Sequence, residues 1–218
     1  MNKASLLTVV LLLMLALAGC DAPDGARRVS VPVVEAAAAN ADARQSTRAV
    51  APDDAAERAP LKLPLVRPKI VVSKSGRRLM LYADGRLLRT YRAGLGLSPV
   101  EDKVRQGDRR TPEGEFYIFT KNNRSAFYLS LGLSYPNVED AERGLRDGLI
   151  TRAQYRSILR AQERRIAPPQ NTALGGDIYI HGNGASSDWT WGCVALEDSD
   201  IKELFDAVPV GTTVVIEH

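Results

Sequence analysis

The sequence predicts a mainly β domain of sandwich or barrel type, interrupted by a helical hairpin and carrying a short helix near its C-terminus. Three observations carry that expectation. From Lys69 onward, short runs rich in Val, Ile, Leu, Tyr and Phe recur between Gly, Pro and Asp turn residues, the pattern of strands joined by tight connections. Residues 138–166 break this rhythm with charged helical sequence. Residues 198–218 read as one amphipathic helix followed by a closing strand.

The chain has 218 residues, 44% hydrophobic and 25% charged, which suits one ordinary domain with appendages. Its net charge is +3, with basic groups scattered among 26 acidic ones. A nucleic-acid surface needs a clustered basic face, so no nucleic-acid partner is expected.

The chain begins with Lys3, a mostly apolar run from Leu6 to Leu17, and the small residues Ala18 and Gly19 before Cys20. This is a secretion signal, too short to serve as a membrane span. Residues 21–68 are rich in Ala, Pro, Asp and Arg and lack aromatic residues, so they are expected to form a disordered tether. The folded domain is expected over 69–218.

Within it, KIVVS (69–73), RLMLY (78–82) and RLLRTYRAGL (86–95) read as a β-meander, with Ala83-Asp84-Gly85 supplying a turn. TPEGEFYIFT (111–120) and AFYLSLGLSY (126–135) give two further strands, with Tyr82 and Tyr128 expected in the core. In 138–166, two helical stretches meet around Gly148. Thr151 is a natural N-cap for the second, which aligns Tyr155, Ile158 and Leu159 on one face. This insertion is either a side wall or lid, or a solvated decoration. DIYIHG (177–182) is a strand, NGASSDWTWGC (183–193) a turn-rich loop, and Asp198 or Ser199 the expected cap of a helix with Ile201, Leu204 and Phe205 on its apolar stripe. GTTVVIEH closes the chain as a strand.

The two cysteines, Cys20 and Cys193, lie in very different surroundings, which argues against a disulfide. A thiol attacks carbonyls as thiolate, and its free pKa near ~8.5 falls beside a suitable base. The histidines are His181, at a strand end, and His218, at the C-terminus, so His181 is the candidate general base for a Cys193 nucleophile. Gly192 permits a sharp turn at the nucleophile, and its backbone is a candidate oxyanion-hole donor. The Gly182 carbonyl is placed to receive the imidazole N–H and fix the tautomer. One His and one Cys without paired ligands exclude a zinc site, and no cofactor is expected.

These residues carry two resemblances. Leu17-Ala18-Gly19-Cys20 resembles a bacterial lipobox, which implies cleavage before Cys20, its lipidation, and a periplasmic protein held to a membrane. Asp21 slightly favours the inner one. IYIHGNGASSDWTWGC (178–193), RQGDRRTPEGEFYIF (105–119) and the hairpin 74–96 resemble the YkuD-type L,D-transpeptidase catalytic domain. The resemblance implies a transferase in which Cys193 forms a thioester with a peptidoglycan stem peptide and passes it to an amine, with Thr190 and Gly192 in the Ser/Thr and Gly motif positions. Trp191 stands where the family usually has histidine, and Ala195 where Arg or Asn is common. These departures resemble a subgroup with a DWTxGC motif, which includes amidases, so a hydrolase on the same fold stays open, as does a non-catalytic wall-binding lipoprotein. Thr190, Trp191 and Asp188 are candidate substrate-binding residues. For Trp189 and Trp191 the alternatives are walling the substrate or packing on the surface. For Asp188 they are binding a substrate amine, orienting the loop, or sitting solvated in a turn. Arg109 and Arg110 either meet stem carboxylates or are surface charge. A monomer is expected.

Overall fold

The computed structural model describes residues 58–218. The signal segment, Cys20 and the tether up to residue 57 lie outside the described residues. The strands are β1 (Lys69–Ser73), β2 (Arg78–Ala83), β3 (Arg86–Arg92), β4 (Gly114–Ser125), β5 (Tyr128–Leu133), β6 (Tyr179–His181), β7 (Val194–Ala195) and β8 (Thr213–Glu217). The helices are α1 (Val138–Arg146), α2 (Arg152–Arg164) and α3 (Asp198–Ala207).

All eight strands join one mixed sheet in the order β3-β2-β1-β8-β4-β5-β6-β7. The predicted meander is present, with β1 antiparallel to β2 and β2 to β3. Strand alternation sets the core: Ile70 and Val72, Leu79 and Leu81, and Val214 and Ile216 are all fully or nearly fully buried, as period-two patterning requires. The C-terminal strand β8 inserts between β1, in parallel, and β4, antiparallel. β7 is only two residues long and was not anticipated from sequence, because two residues carry no periodicity.

The open sheet bends back on itself beyond β3. Gly94 bridges Ala195 and Gly96 bridges Thr190, so residues just past one edge strand hydrogen-bond to the other edge and its loop. The expected sandwich-or-barrel fold is thus realised as a single curled sheet. Ile201 and Leu204 of α3 fill its interior, with Phe205 packed at the margin.

Three local expectations change. Residues 58–68, assigned to the tether, pack on the domain: Leu61 and Leu65 contact the core, Arg58 pairs with Asp200 at 2.9 Å, and Asp84 N donates to Val66 O at 2.8 Å. Helix α3 is capped by neither Asp198 nor Ser199. Its N-cap is Glu197, with no side-chain cap bond, because the carboxylates at this helix start hold a neighbouring loop instead. Tyr128, the first residue of β5, is half-exposed at φ +70°, not in the core.

The helical insertion is packed, not solvated. Thr151 caps α2 through a capping box with Gln154, and Asn137 caps α1 the same way with Asp140. Ala141, Ile150, Ile158 and Leu174 form a second apolar cluster, flanked by Leu145, Tyr155 and Leu159. Gln162 donates to the carbonyls of Ser134 and Pro136 at 2.6 and 2.8 Å, and Arg143 ties α1 to Asp102 at 2.8 Å. Burial, joined by the nearby Asp102 carboxylate, pushes the Asp140 pKa up to about 7.

Ile158 is fully buried in this second cluster. Ile158→Ala is expected to cost about 2–5 kcal/mol, the usual penalty for a cavity at a fixed site, read as a lower denaturant midpoint with an unchanged slope.

Candidate active site

Strand β6 ends at His181, and its pairing fixes where that side chain sits. Ser130 of β5 lies directly across from it, and Ala195 of β7 lies on the other side. His181 is buried and clamped by rings: Phe127 stacks on it at 4.6 Å, and Trp189 meets it edge-on at 5.5 Å. The Trp189 indole N–H is anchored on the Gly184 carbonyl at 3.1 Å. Trp189 therefore acts on the imidazole and not as a surface-packed loop residue. His181 Nδ1 lies 2.7 Å from the Gly182 carbonyl, the partner expected from the sequence. A carbonyl can only accept, so Nδ1 carries the proton of the neutral ring and Nε2 is left to act as base.

Cys193 is half-buried, one residue before β7. Its sulfur accepts from the Tyr179 N–H at 3.4 Å, and its S–H donates to the Asp177 carbonyl at 3.5 Å. Cys193 and His181 line one pocket of about 330 Å³, together with Asn122, Arg124, Phe127, Ser130, Asp177 and Tyr179. This volume is at the lower end for ligand pockets.

The turn that presents Cys193 is built by Thr190 and Gly192. Gly192 has φ +130°, a conformation that strains any side-chain-bearing residue. A Cβ there would also lie 2.7 Å from the Arg110 carbonyl. The buried Thr190 hydroxyl accepts from Gly192 N at 3.1 Å and donates to Cys193 O at 2.8 Å. The Thr190 hydroxyl is thereby engaged in clamping this turn, a contact the sequence did not show. The Gly192 N–H donates to the Thr190 hydroxyl, while the Cys193 N–H has no hydrogen-bond partner among the described residues.

Asp188 is also redirected. Its carboxylate takes Arg77 through Nε at 2.9 Å and Nη2 at 2.8 Å, and the Leu95 N–H at 2.9 Å. It ties the loop to Arg77 in the β1–β2 turn and to Leu95 just beyond β3. Trp191 is 65% exposed, with the Arg109 guanidinium 4.8 Å from its ring centre. Arg110 pairs with Glu101. The loop after His181 is held at the start of α3, where Asp198 accepts from Asn183 N and Glu197 from Ala185 N, each at 2.8 Å.

Asp108, in the Gly-Asp-x-x-Thr-Pro turn, accepts from Lys103 Nζ and from the N–H groups of Val104, Arg105 and Arg110 at 2.8–3.1 Å. Burial opposes its ionisation, but these donors together hold its pKa below the usual carboxylate value. The resulting rigid loop supplies the Arg110 carbonyl against which Gly192 rests.

Electrostatically, the resting pair is neutral. Burial pushes the Cys193 thiol up to about 11, the Asp177 carboxylate adds to this, and the Tyr179 amide and Lys103 oppose it. Burial lowers the His181 pKa, against the pull of the Gly182 carbonyl. The thiol proton must therefore leave as attack occurs. Ser130, Tyr179, Asp177 and Arg124 were not identified from sequence as site residues. Sequence carries a weak signal for Ser130 and Tyr179, which fall on strands beside the motif, and none for the other two. Among the described residues, no group of three or more His, Cys, Asp or Glu side chains could hold a metal ion.

A curled mixed sheet thus brings a buried histidine and a cysteine on a Gly turn to one pocket. The chain belongs to the L,D-transpeptidase catalytic domain family (YkuD), whose family model matches residues 67–216. No curated protein matches the sequence. Among solved structures, it is similar to the helical cell shape determining protein Pgp2 of Campylobacter jejuni, with 22% identity and TM-score 0.47, covering 72% of this chain and 49% of that one. It is similar to Bd1075 of Bdellovibrio bacteriovorus, with 21% identity and TM-score 0.45, covering 70% and 48%. It is similar also to an L,D-transpeptidase of Mycobacterium smegmatis, with 13% identity and TM-score 0.42, covering 70% and 59%. The chain thus spans about half to three fifths of the length of these three structures.

Two outcomes follow from this geometry. Thr190→Val keeps the shape but deletes both hydroxyl bonds, and turnover is expected to fall about tenfold or more, measured as kcat with the fold checked by circular dichroism. Alkylation of Cys193 by iodoacetamide is expected to rise with pH through the alkaline range toward about 11. Asp177→Asn removes a charge that disfavours the thiolate, so its profile shifts to lower pH.

Proposed function

We propose that this protein is a peptidoglycan L,D-transpeptidase whose nucleophile is Cys193 and whose acid-base is His181. The observation that carries the reading is that the two side chains line one pocket while the Gly182 carbonyl fixes the imidazole tautomer.

In the first half-reaction, His181 Nε2 takes the thiol proton as Sγ bonds to the carbonyl carbon of the L,D peptide bond in a tetrapeptide stem. The Cys193 N–H faces the developing oxyanion. The C–N bond then breaks, and the imidazolium returns its proton to the departing amine of D-alanine, which leaves as a neutral molecule. A thioester remains. In the second half, the amine of a neighbouring stem's diamino acid attacks that carbonyl, His181 removes its proton, the C–S bond breaks, and the thiolate regains the proton. A new amide joins the two stems.

The signal, the lipobox-like Cys20 and the Ala/Pro-rich segment support placing this domain in the periplasm on a lipid anchor, the inner membrane being slightly favoured. An anchored enzyme on a tether samples the nearby wall at a high effective concentration.

The test is mass spectrometry of products from disaccharide tetrapeptides incubated with the full-length protein. Cys193→Ala is expected to abolish turnover. His181→Ala is expected to reduce it by about 10²–10⁴-fold, the range for a general acid-base. Addition of an acceptor amine is expected to yield crosslinked product; formation of hydrolysis products alone would identify an amidase on the same fold instead.

A further inference from the structure

The pocket that holds Cys193 and His181 carries two charged side chains, Arg124 and Asp177, of opposite sign. Several charges around the rest of the site are paired, Asp188 with Arg77, Lys103 with Asp108 and Arg110 with Glu101, and Arg109 lies over the Trp191 ring. Among the described residues, neither the Arg124 guanidinium nor the Asp177 carboxylate has an ion-pair or hydrogen-bond partner. Both are exposed to solvent at the pocket wall.

Their positions are not equivalent. Arg124 is one of the last two residues of β4, just before the turn that carries Phe127, and Phe127 stacks on His181. Asp177 precedes β6, and its carbonyl accepts the Cys193 S–H at 3.5 Å. The cation therefore belongs to the side of the base, and the anion to the side of the nucleophile. Acyl transfer has the same polarity. The acyl carbon bonds to Sγ, while the leaving nitrogen takes its proton from His181, so the leaving residue must lie on the His181 side. If that residue is the last of its peptide, its free carboxylate follows the leaving nitrogen by one carbon.

We propose that Arg124 is the residue that binds the terminal carboxylate of the leaving residue, and that Asp177 is the residue that binds a cationic group on the acyl side. This rests on Cys193 and His181 acting as nucleophile and acid-base. The guanidinium fork matches a carboxylate in a bidentate manner. An unpaired carboxylate beside the acyl side suits the ammonium of a diamino acid side chain. Asp177 has φ +54°, a left-handed conformation that Asp tolerates better than most residues. Its main chain is fixed by Gln170 Oε1, which accepts from Asp177 N at 2.7 Å.

The test uses the full-length protein and synthetic tetrapeptide stems with a free or an amidated C-terminus. Binding is read in the Cys193→Ala background, so that it does not depend on turnover. The free acid is expected to bind about ten- to a hundredfold more tightly than the amide, as for a hydrogen bond to a charged group. Arg124→Gln is expected to erase that difference, with Arg124→Lys restoring part of it. Asp177→Asn is expected to erase the preference for a free over an acetylated side-chain amine while leaving the carboxylate preference intact. In the otherwise native protein, Arg124→Gln should raise KM for the free acid more than it lowers kcat. Equal affinity for acid and amide, or discrimination that survives Arg124→Gln, overturns the proposal. If discrimination holds but the native protein releases no terminal residue, the binding site stands and the catalytic reading falls.

Discussion

The site depends on a short backbone ladder between the two edges of the sheet. Gly94 N and O pair with Ala195 O and N at 2.9 and 2.8 Å, while Thr190 N donates to Leu95 O at 3.0 Å and Leu97 N to Thr190 O at 3.0 Å. These bonds grip the chain on both sides of Cys193, at Thr190 and at Ala195. The ladder tolerates nothing larger than glycine at two positions: a Cβ on Gly94 would lie 2.4 Å from Ser187 O, and one on Gly96 would lie 2.2 Å from Arg109 O. Close backbone approach thus holds the nucleophile turn from beneath, and Asp188 reinforces it by taking the Leu95 N–H and Arg77 together. A nucleophile needs placement to within a fraction of an ångström, and main-chain bonds are stiffer than any side chain that could supply it.

Around that frame the pocket is organised by desolvation. The same walls that hold the imidazole, Phe127 on one face and Trp189 at the edge, also strip water from it. Burial disfavours both charged forms, thiolate and imidazolium. The neutral pair is the cheaper resting state.

The hairpin α1–α2 belongs to this frame as well. Through Arg143 it reaches Asp102 and the Lys103 carbonyl at 2.8 and 2.6 Å, at the start of the loop that Asp108 organises. That loop ends against Gly192 and carries Arg109 over Trp191. The insertion is therefore a packed buttress, joined by charge-assisted bonds to the loop that rests against the Cys193 turn, and none of its residues lines the pocket of Cys193 and His181. Its role was open in the sequence because an apolar stripe tells that a helix is buried but not against what.

The sequence alone determined most of the strand and helix pattern, the hairpin with its Thr151 cap, and the pairing of His181 with the Gly182 carbonyl. Each of these is a local property: periodicity, a cap, a residue next to its neighbour. Tertiary structure alone decided the rest. β8 between β1 and β4, the two-residue β7, and the packing of 58–68 all depend on partners far away in the chain. Asp188 and Thr190 have the chemistry of substrate contacts, and only their distant partners, Arg77 and Leu95 for one and the chain around Gly192 for the other, show that both are engaged in holding the loop. Arg124 and Asp177 lie 53 residues apart in sequence with no motif to join them. They meet at one pocket because β5 lies between β4 and β6, and such pairings appear only when the sheet closes.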